Sequence, residues 1–156
     1  LADGDIMRML TDSTSPFAPR RGEFDASVRI RELDADGIAG EIIFPQMAPF
    51  GAGLMQYRYP VTAEQSLAGC QAYNRWLADL CKPNPERHAG VALIDVEDIG
   101  VSVTEIRAAK DLGLRGGVLL PTSTGRHPFY HHPRYEPLWA VCEELGLPLH
   151  SHSTSP

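Results

Sequence analysis

No run of apolar residues in this chain approaches the ~18 that suggest a membrane span. No cluster of basic residues occurs either, and the net charge is −6. Nucleic acid and anionic membranes are therefore poor partners. Cysteine is scarce: Cys70, Cys81 and Cys142 are an odd number, with no CxxC among them. Each falls on the apolar stripe of an expected helix, which reads as buried, reduced thiols and a cytoplasmic location. The opening LADGDIMRML has no apolar core flanked by basic residues, so no signal-peptide pattern is visible there. The Gly-rich motifs GxGxxG and the P-loop are missing, as is a GxSxG nucleophile elbow near Ser153 and Ser155. What is present is enough apolar material for a core: 43% hydrophobic residues against 22% charged.

The pattern along the chain alternates. Residues 1–24 are irregular, with Ser, Pro and Arg concentrated between Ser13 and Gly22. Asp25 can cap a helix running to about Gly37. Glu41 to Phe44 is a short apolar strand stopped by Pro45. Thr62 and Gln65 form a capping box for a helix reaching Lys82, with Ala63, Leu67, Cys70, Tyr73, Leu77 and Leu80 at helical spacing. A strand is expected at Gly90–Ile94, then a helix capped by Asp95 or Asp98 and ending at Leu112. Another strand follows at Arg115–Leu120, then a helix from near Pro137 to a stop at Gly146. Leu147 to Ser151 reads as a fourth strand. Trp76 and Trp139 are expected to pack helices against the sheet.

Strands alternating with helices of ten or more residues imply parallel neighbours joined by right-handed crossovers. The fold class is thus α/β, a partial (β/α)₈ TIM barrel of about four parallel strands, with consecutive β/α units over 25–156. A closed barrel needs ~250 residues, so the chain is read as a fragment of one barrel domain. Two strand-to-helix connections are long, Pro45–Pro60 and Pro121–His132. They sit at the carboxyl ends of the strands, where α/β folds place their sites.

His150 and His152 are two apart on the expected last strand, so they share a face. Neutral imidazole ligates zinc and similar metals. An HxH pair at a strand end is a candidate half-site; two ordinary hydrogen-bonded histidines are the equal alternative. His127, His131 and His132 lie in the second long loop, where solvated surface is the ordinary role. With Arg126 they could instead meet an anionic substrate. His88 lies at the other end of the sheet. The DxG of DADGIAG lacks the rest of a calcium loop and reads as a turn.

Three segments together resemble the amidohydrolase-related family, the branch that includes aminocarboxymuconate semialdehyde decarboxylase and several aromatic-acid decarboxylases. They are DADGIAGEIIFP, YNRWLADLCKPNPERHAGVALIDVEDIGVSVTEIRAAKDLGLRGGVLLP and PRYEPLWAVCEELGLPLHSH, covering roughly Asp25 to His152. The resemblance implies a (β/α)₈ barrel holding one divalent metal, commonly zinc, and acting on a small carboxylated or cyclic substrate. Either decarboxylation or hydrolysis fits it. The family's GLPxxxH pattern falls on GLPLHSH and makes His152 a metal ligand. His150 then becomes a secondary residue or an alternative ligand. The first-strand HxH expected before Asp25 is absent, and the catalytic His and the Asp ligand are expected after Pro156. Gln46, Arg126 and His127 become candidate substrate contacts. The resemblance also implies a homodimer of the complete enzyme and an inactive fragment. The competing reading is a non-catalytic α/β interaction domain that binds a partner along its open edge.

Overall fold

The computed structural model describes residues 20–45, 62–121 and 127–152. It divides into two compact units, Leu1–Ala39 and Gly40–Pro156.

In the first unit a 3₁₀ turn at Arg21–Glu23 leads into helix α1, Ala26–Ala35. Asp25 caps α1, its carboxylate accepting the backbone N–H groups of Ser27 and Val28 at 3.0 and 3.1 Å. These satisfy two of the orphan donors of the first turn. Hydrogen bonds from the Ser27 side chain, the Val28 amide and Arg21 hold the Asp25 carboxyl down at about 2. Leu33 is the buried face of α1, and Arg29 reaches back to the Gly22 carbonyl at 3.1 Å.

The second unit holds strand β1 (Glu41–Ile43), helix α2 (Ala63–Cys81), strand β2 (His88–Leu93), helix α3 (Ile99–Asp111), strand β3 (Gly117–Leu119), helix α4 (Glu136–Leu145) and strand β4 (Leu149–His150). All pairings are parallel, in the order β1-β2-β3-β4. The expected partial barrel is therefore observed as four consecutive parallel strands alternating with helices. Strand bounds differ in detail. β2 begins at His88 rather than Gly90, because His88 pairs in register with Glu41. β4 is confined to two residues.

The local signals act as read. Thr62 and Gln65 close a reciprocal capping box on α2. Asp98, not Asp95, caps α3 by accepting the Val101 N–H at 3.1 Å, while Asp95 accepts the N–H of Glu97 at 2.7 Å. Gly146 ends α4 at φ 61°, a left-handed position that glycine takes without penalty. On the helix-covered face Ile94, Val96, Ile106, Val118, Tyr135, Leu138, Val141, Cys142 and Leu147 form one buried cluster. Leu138 and Ile106 are fully enclosed; truncating such a side chain to Ala costs ~2–5 kcal/mol.

All three cysteines are buried and unbridged. Burial pushes the Cys70 thiol up to about 12 and raises that of Cys142, so neither is a ready nucleophile. Trp139 packs against the core cluster as expected. Trp76 does not: it is 41% exposed and leans on Tyr73 with ring centroids 5.6 Å apart. The stripe of α2 runs through Tyr73, Leu77 and Leu80, which turns position 76 away from the sheet.

Candidate metal ligand and loop network

The backbone of Leu93, the last residue of β2, is met by the side chain of Asn74, from α2. Its Oδ1 accepts the Leu93 N–H at 2.8 Å and its Nδ2 donates to the Leu93 carbonyl at 2.9 Å. Asn74 is 2% exposed, so both of its contacts replace water.

β4 carries the histidine pair. His150 stands in register with Leu119, and its Nε2–H donates to the Gly116 carbonyl at 2.7 Å. The ring has room because residue 117 is glycine. A Cβ there would lie 2.2 Å from the Pro148 carbonyl oxygen and 2.8 Å from His150 Nε2, at a backbone φ of 107°. The ring also meets Phe44 edge-on. His152 lies just beyond β4, exposed, at the carboxyl end of the strand.

Among the described residues no three His, Cys, Asp or Glu side chains converge as a metal-binding group. His152 has the right donor chemistry for one ligand, but one imidazole does not hold a catalytic ion. The described residues thus do not by themselves make a metal centre. Gln46 and Arg126 lie outside them.

His127 is described, and both its ring nitrogens are engaged by the protein. Nε2 lies 2.9 Å from the Glu97 carboxylate, on the loop after β2. Nδ1 lies 3.2 Å from Arg134 Nη1. An arginine only donates, so Nδ1 accepts and the Nε2–H donates to Glu97. Arg134 Nη2 reaches the carbonyls of Val96 and Glu97 at 3.2 and 3.1 Å, with the guanidinium 5.3 Å from the Tyr135 ring centroid. His132 caps the short Pro133–Tyr135 turn through Nδ1, and His131 stacks on Phe129. Tyr130 and Tyr135 donate to the Pro121 and Pro128 carbonyls at 2.6 and 2.9 Å and pack with Trp139. Burial raises the Tyr130 hydroxyl, keeping it a donor.

At the opposite end, His88 is buried with Nδ1 2.8 Å from Glu41 Oε1. Neither ring nitrogen makes a hydrogen bond of good geometry. Sequence reasoning missed the parts played by Asn74, Glu97 and Arg134. Each acts on backbone or side chains remote in sequence, and no local spacing announces that.

Comparison with known proteins bears on the fold that carries these residues. A gamma-resorcylate decarboxylase of Rhodococcus jostii (strain RHA1) is 30% identical over 101 residues, covering 60% of this chain and 31% of the relative. A 2-amino-3-carboxymuconate-6-semialdehyde decarboxylase of Dictyostelium discoideum is 25% identical over 130 residues, covering 83% and 34%. A 5-carboxyvanillate decarboxylase of Novosphingobium aromaticivorans, solved with manganese and 3-methoxy-4-hydroxy-5-nitrobenzoic acid, superposes with a TM-score of 0.64 at 25% identity. That alignment covers 83% of this chain and 35% of the solved one. The chain thus spans about a third of the length of each of these proteins. The amidohydrolase family model matches residues 16–156, and with four parallel strands in barrel order the chain belongs to the amidohydrolase family.

Proposed function

We propose that this chain is part of one barrel domain of a metal-dependent decarboxylase acting on a small carboxylated ring compound. The observation that carries the reading is the position of His152 at the carboxyl end of β4, within a chain matched along most of its length by the amidohydrolase family. Support for decarboxylation over hydrolysis comes from the names of the relatives, which act on carboxylated aromatic or unsaturated acids. In such a reaction the bond from carbon to carboxylate breaks and its electron pair stays on the carbon. A proton is added there and carbon dioxide leaves.

In this proposal His152 is one ligand of a divalent ion, and the remaining ligands and the catalytic His lie outside the described residues. Such an ion, when bound, supplies positive charge beside a substrate oxygen. Zinc follows from the family resemblance, whereas the carboxyvanillate decarboxylase was solved with manganese; both belong in the metal analysis. Gln46 and Arg126, which follow β1 and β3 in the sequence, are substrate contacts in this reading, while His127, the third candidate, has its ring engaged by Glu97 and Arg134. The complete enzyme is a homodimer in the cytoplasm, and this chain alone is inactive. No helix among the described residues is long and apolar enough to cross a membrane.

The test is metal analysis and carbon dioxide release with the complete polypeptide and its His152→Ala variant, offered hydroxybenzoates and muconate-type acids. The expected result is one divalent ion per chain and turnover, both lost in the variant. Turnover of a lactone or amide with no carbon dioxide released would give the hydrolase reading instead.

A further inference from the structure

Glu97, His127 and Arg134 come from different segments at the carboxyl ends of the strands. Glu97 follows β2, His127 follows β3, and Arg134 belongs to the turn that opens α4. Their contacts form one tie. A single Arg134 guanidinium donates to two consecutive carbonyls of the β2 loop and to the ring of His127. His127 then returns the connection to the Glu97 side chain. Three partners spread over two loops need a planar fork with several fixed donors. Arginine has this shape, and the point charge of lysine does not. The Tyr135 ring under the guanidinium limits its freedom.

We infer that Arg134 and His127 are positioning residues: they latch the segment 127–134 to the loop after β2, and the latch sets how tightly the barrel mouth holds its substrate. The inference rests on the proposed reading that the mouth binds a small carboxylated ring compound. In it the imidazole of His127 performs no chemistry. One donor and one acceptor are what the latch needs at that position, and both face the protein. A glutamine offers the same pair, an amide N–H for Glu97 and a carbonyl oxygen for Arg134. A loosened wall lowers binding of ground state and transition state alike, so the effect falls on KM rather than kcat.

The experiment uses the complete enzyme with three variants: Arg134→Lys, His127→Ala and His127→Gln. Amide hydrogen exchange is followed in peptides spanning 94–99 and 127–136, and steady-state kinetics are run with hydroxybenzoate substrates. Arg134→Lys and His127→Ala are expected to exchange about tenfold faster in both peptides, the loss of one or two modest hydrogen bonds. Their KM should rise by a similar factor, with kcat changed by less than about threefold. His127→Gln should restore both readouts towards wild type. Unchanged exchange in Arg134→Lys and His127→Ala overturns the latch. A kcat in His127→Gln as low as in a dead enzyme also overturns it, because the ring itself would then be needed. Should the wild-type enzyme turn over none of the acids, the proposed function fails while the exchange data still decide the latch.

Discussion

The ring of Phe44 meets the ring of His150 edge-on, with centroids 4.9 Å apart and planes at 77°. Phe44 follows β1 and His150 lies on β4, with β2 and β3 between them. In a flat sheet three inter-strand steps amount to roughly 14 Å. Contact at this distance fits four parallel strands that curl as an arc of a barrel.

Gly117 is what admits the His150 ring to this position. Replacing it by Ala puts a methyl group within 2.2 Å of the Pro148 carbonyl and forces a side chain into a φ of 107°. Strain of the backbone and overpacking each cost ~1–3 kcal/mol. Gly117→Ala should therefore lower unfolding stability by about 2 kcal/mol or more in urea. A loss below about 0.5 kcal/mol, the scatter of ordinary surface substitutions, would mean that β3 and β4 are not this close.

Asn74 offers a sharper comparison. Asn74→Ala leaves the Leu93 N–H and carbonyl buried without partners, each worth ~1–3 kcal/mol. Asn74→Asp keeps an acceptor for the N–H but sets a carboxylate oxygen against the carbonyl. Both variants should be destabilised by about 2–4 kcal/mol, with Asp no better than Ala. Rescue of stability by Asp in urea unfolding would show that only the N–H contact matters.

The repeating units were legible because each is coded locally. Capping residues such as Thr62, Gln65 and Asp98 and the stop at Gly146 act within one turn of the helix they bound. The apolar runs reveal strands whatever their neighbours. The ends of strands were less legible: His88 joins β2 only because Glu41 stands opposite it, a relation 47 positions away in the numbering. Of the candidate site, the histidines at 150 and 152 stood out by residue type and spacing. Asn74 could not, since a polar residue inside an otherwise apolar helix stripe says nothing about which backbone it meets. Arg134 was equally silent, its targets lying in a loop 37 and 38 residues earlier.

Asp25 gives a pH signature in the first unit. Its carboxyl is held at about 2, below its ordinary 3.8, chiefly by the Ser27 side chain and the Val28 amide. A lowered folded value means that the cap's contribution is complete above pH 4 and is lost as pH falls through about 2. A carboxyl-carbon NMR titration of Asp25 should show a midpoint near 2, and Ser27→Ala should move it upward. A midpoint unaffected by that substitution would reject the Ser27 hydrogen bond as the leading cause.

His150 and His152 separate by what each ring does. They are two residues apart, about 6–7 Å along an extended strand, so a metal bonded to one at ~2.0–2.1 Å does not readily reach the other. His150 already spends Nε2–H on the Gly116 carbonyl and its ring face on Phe44. Its removal should act through the fold: His150→Ala leaves the Gly116 carbonyl without its donor, at a cost of ~1–3 kcal/mol. His150→Gln can offer an N–H to the same carbonyl and should recover part of that loss. Metal content in both should stay close to that of the wild type in the complete enzyme. His152 is exposed at the strand end, and His152→Ala should abolish metal uptake in the complete enzyme. Plasma mass spectrometry of the purified variants, paired with unfolding curves of the metal-free forms, reads both effects at once. Full metal occupancy without His152, or metal lost only without His150, would exchange the two roles.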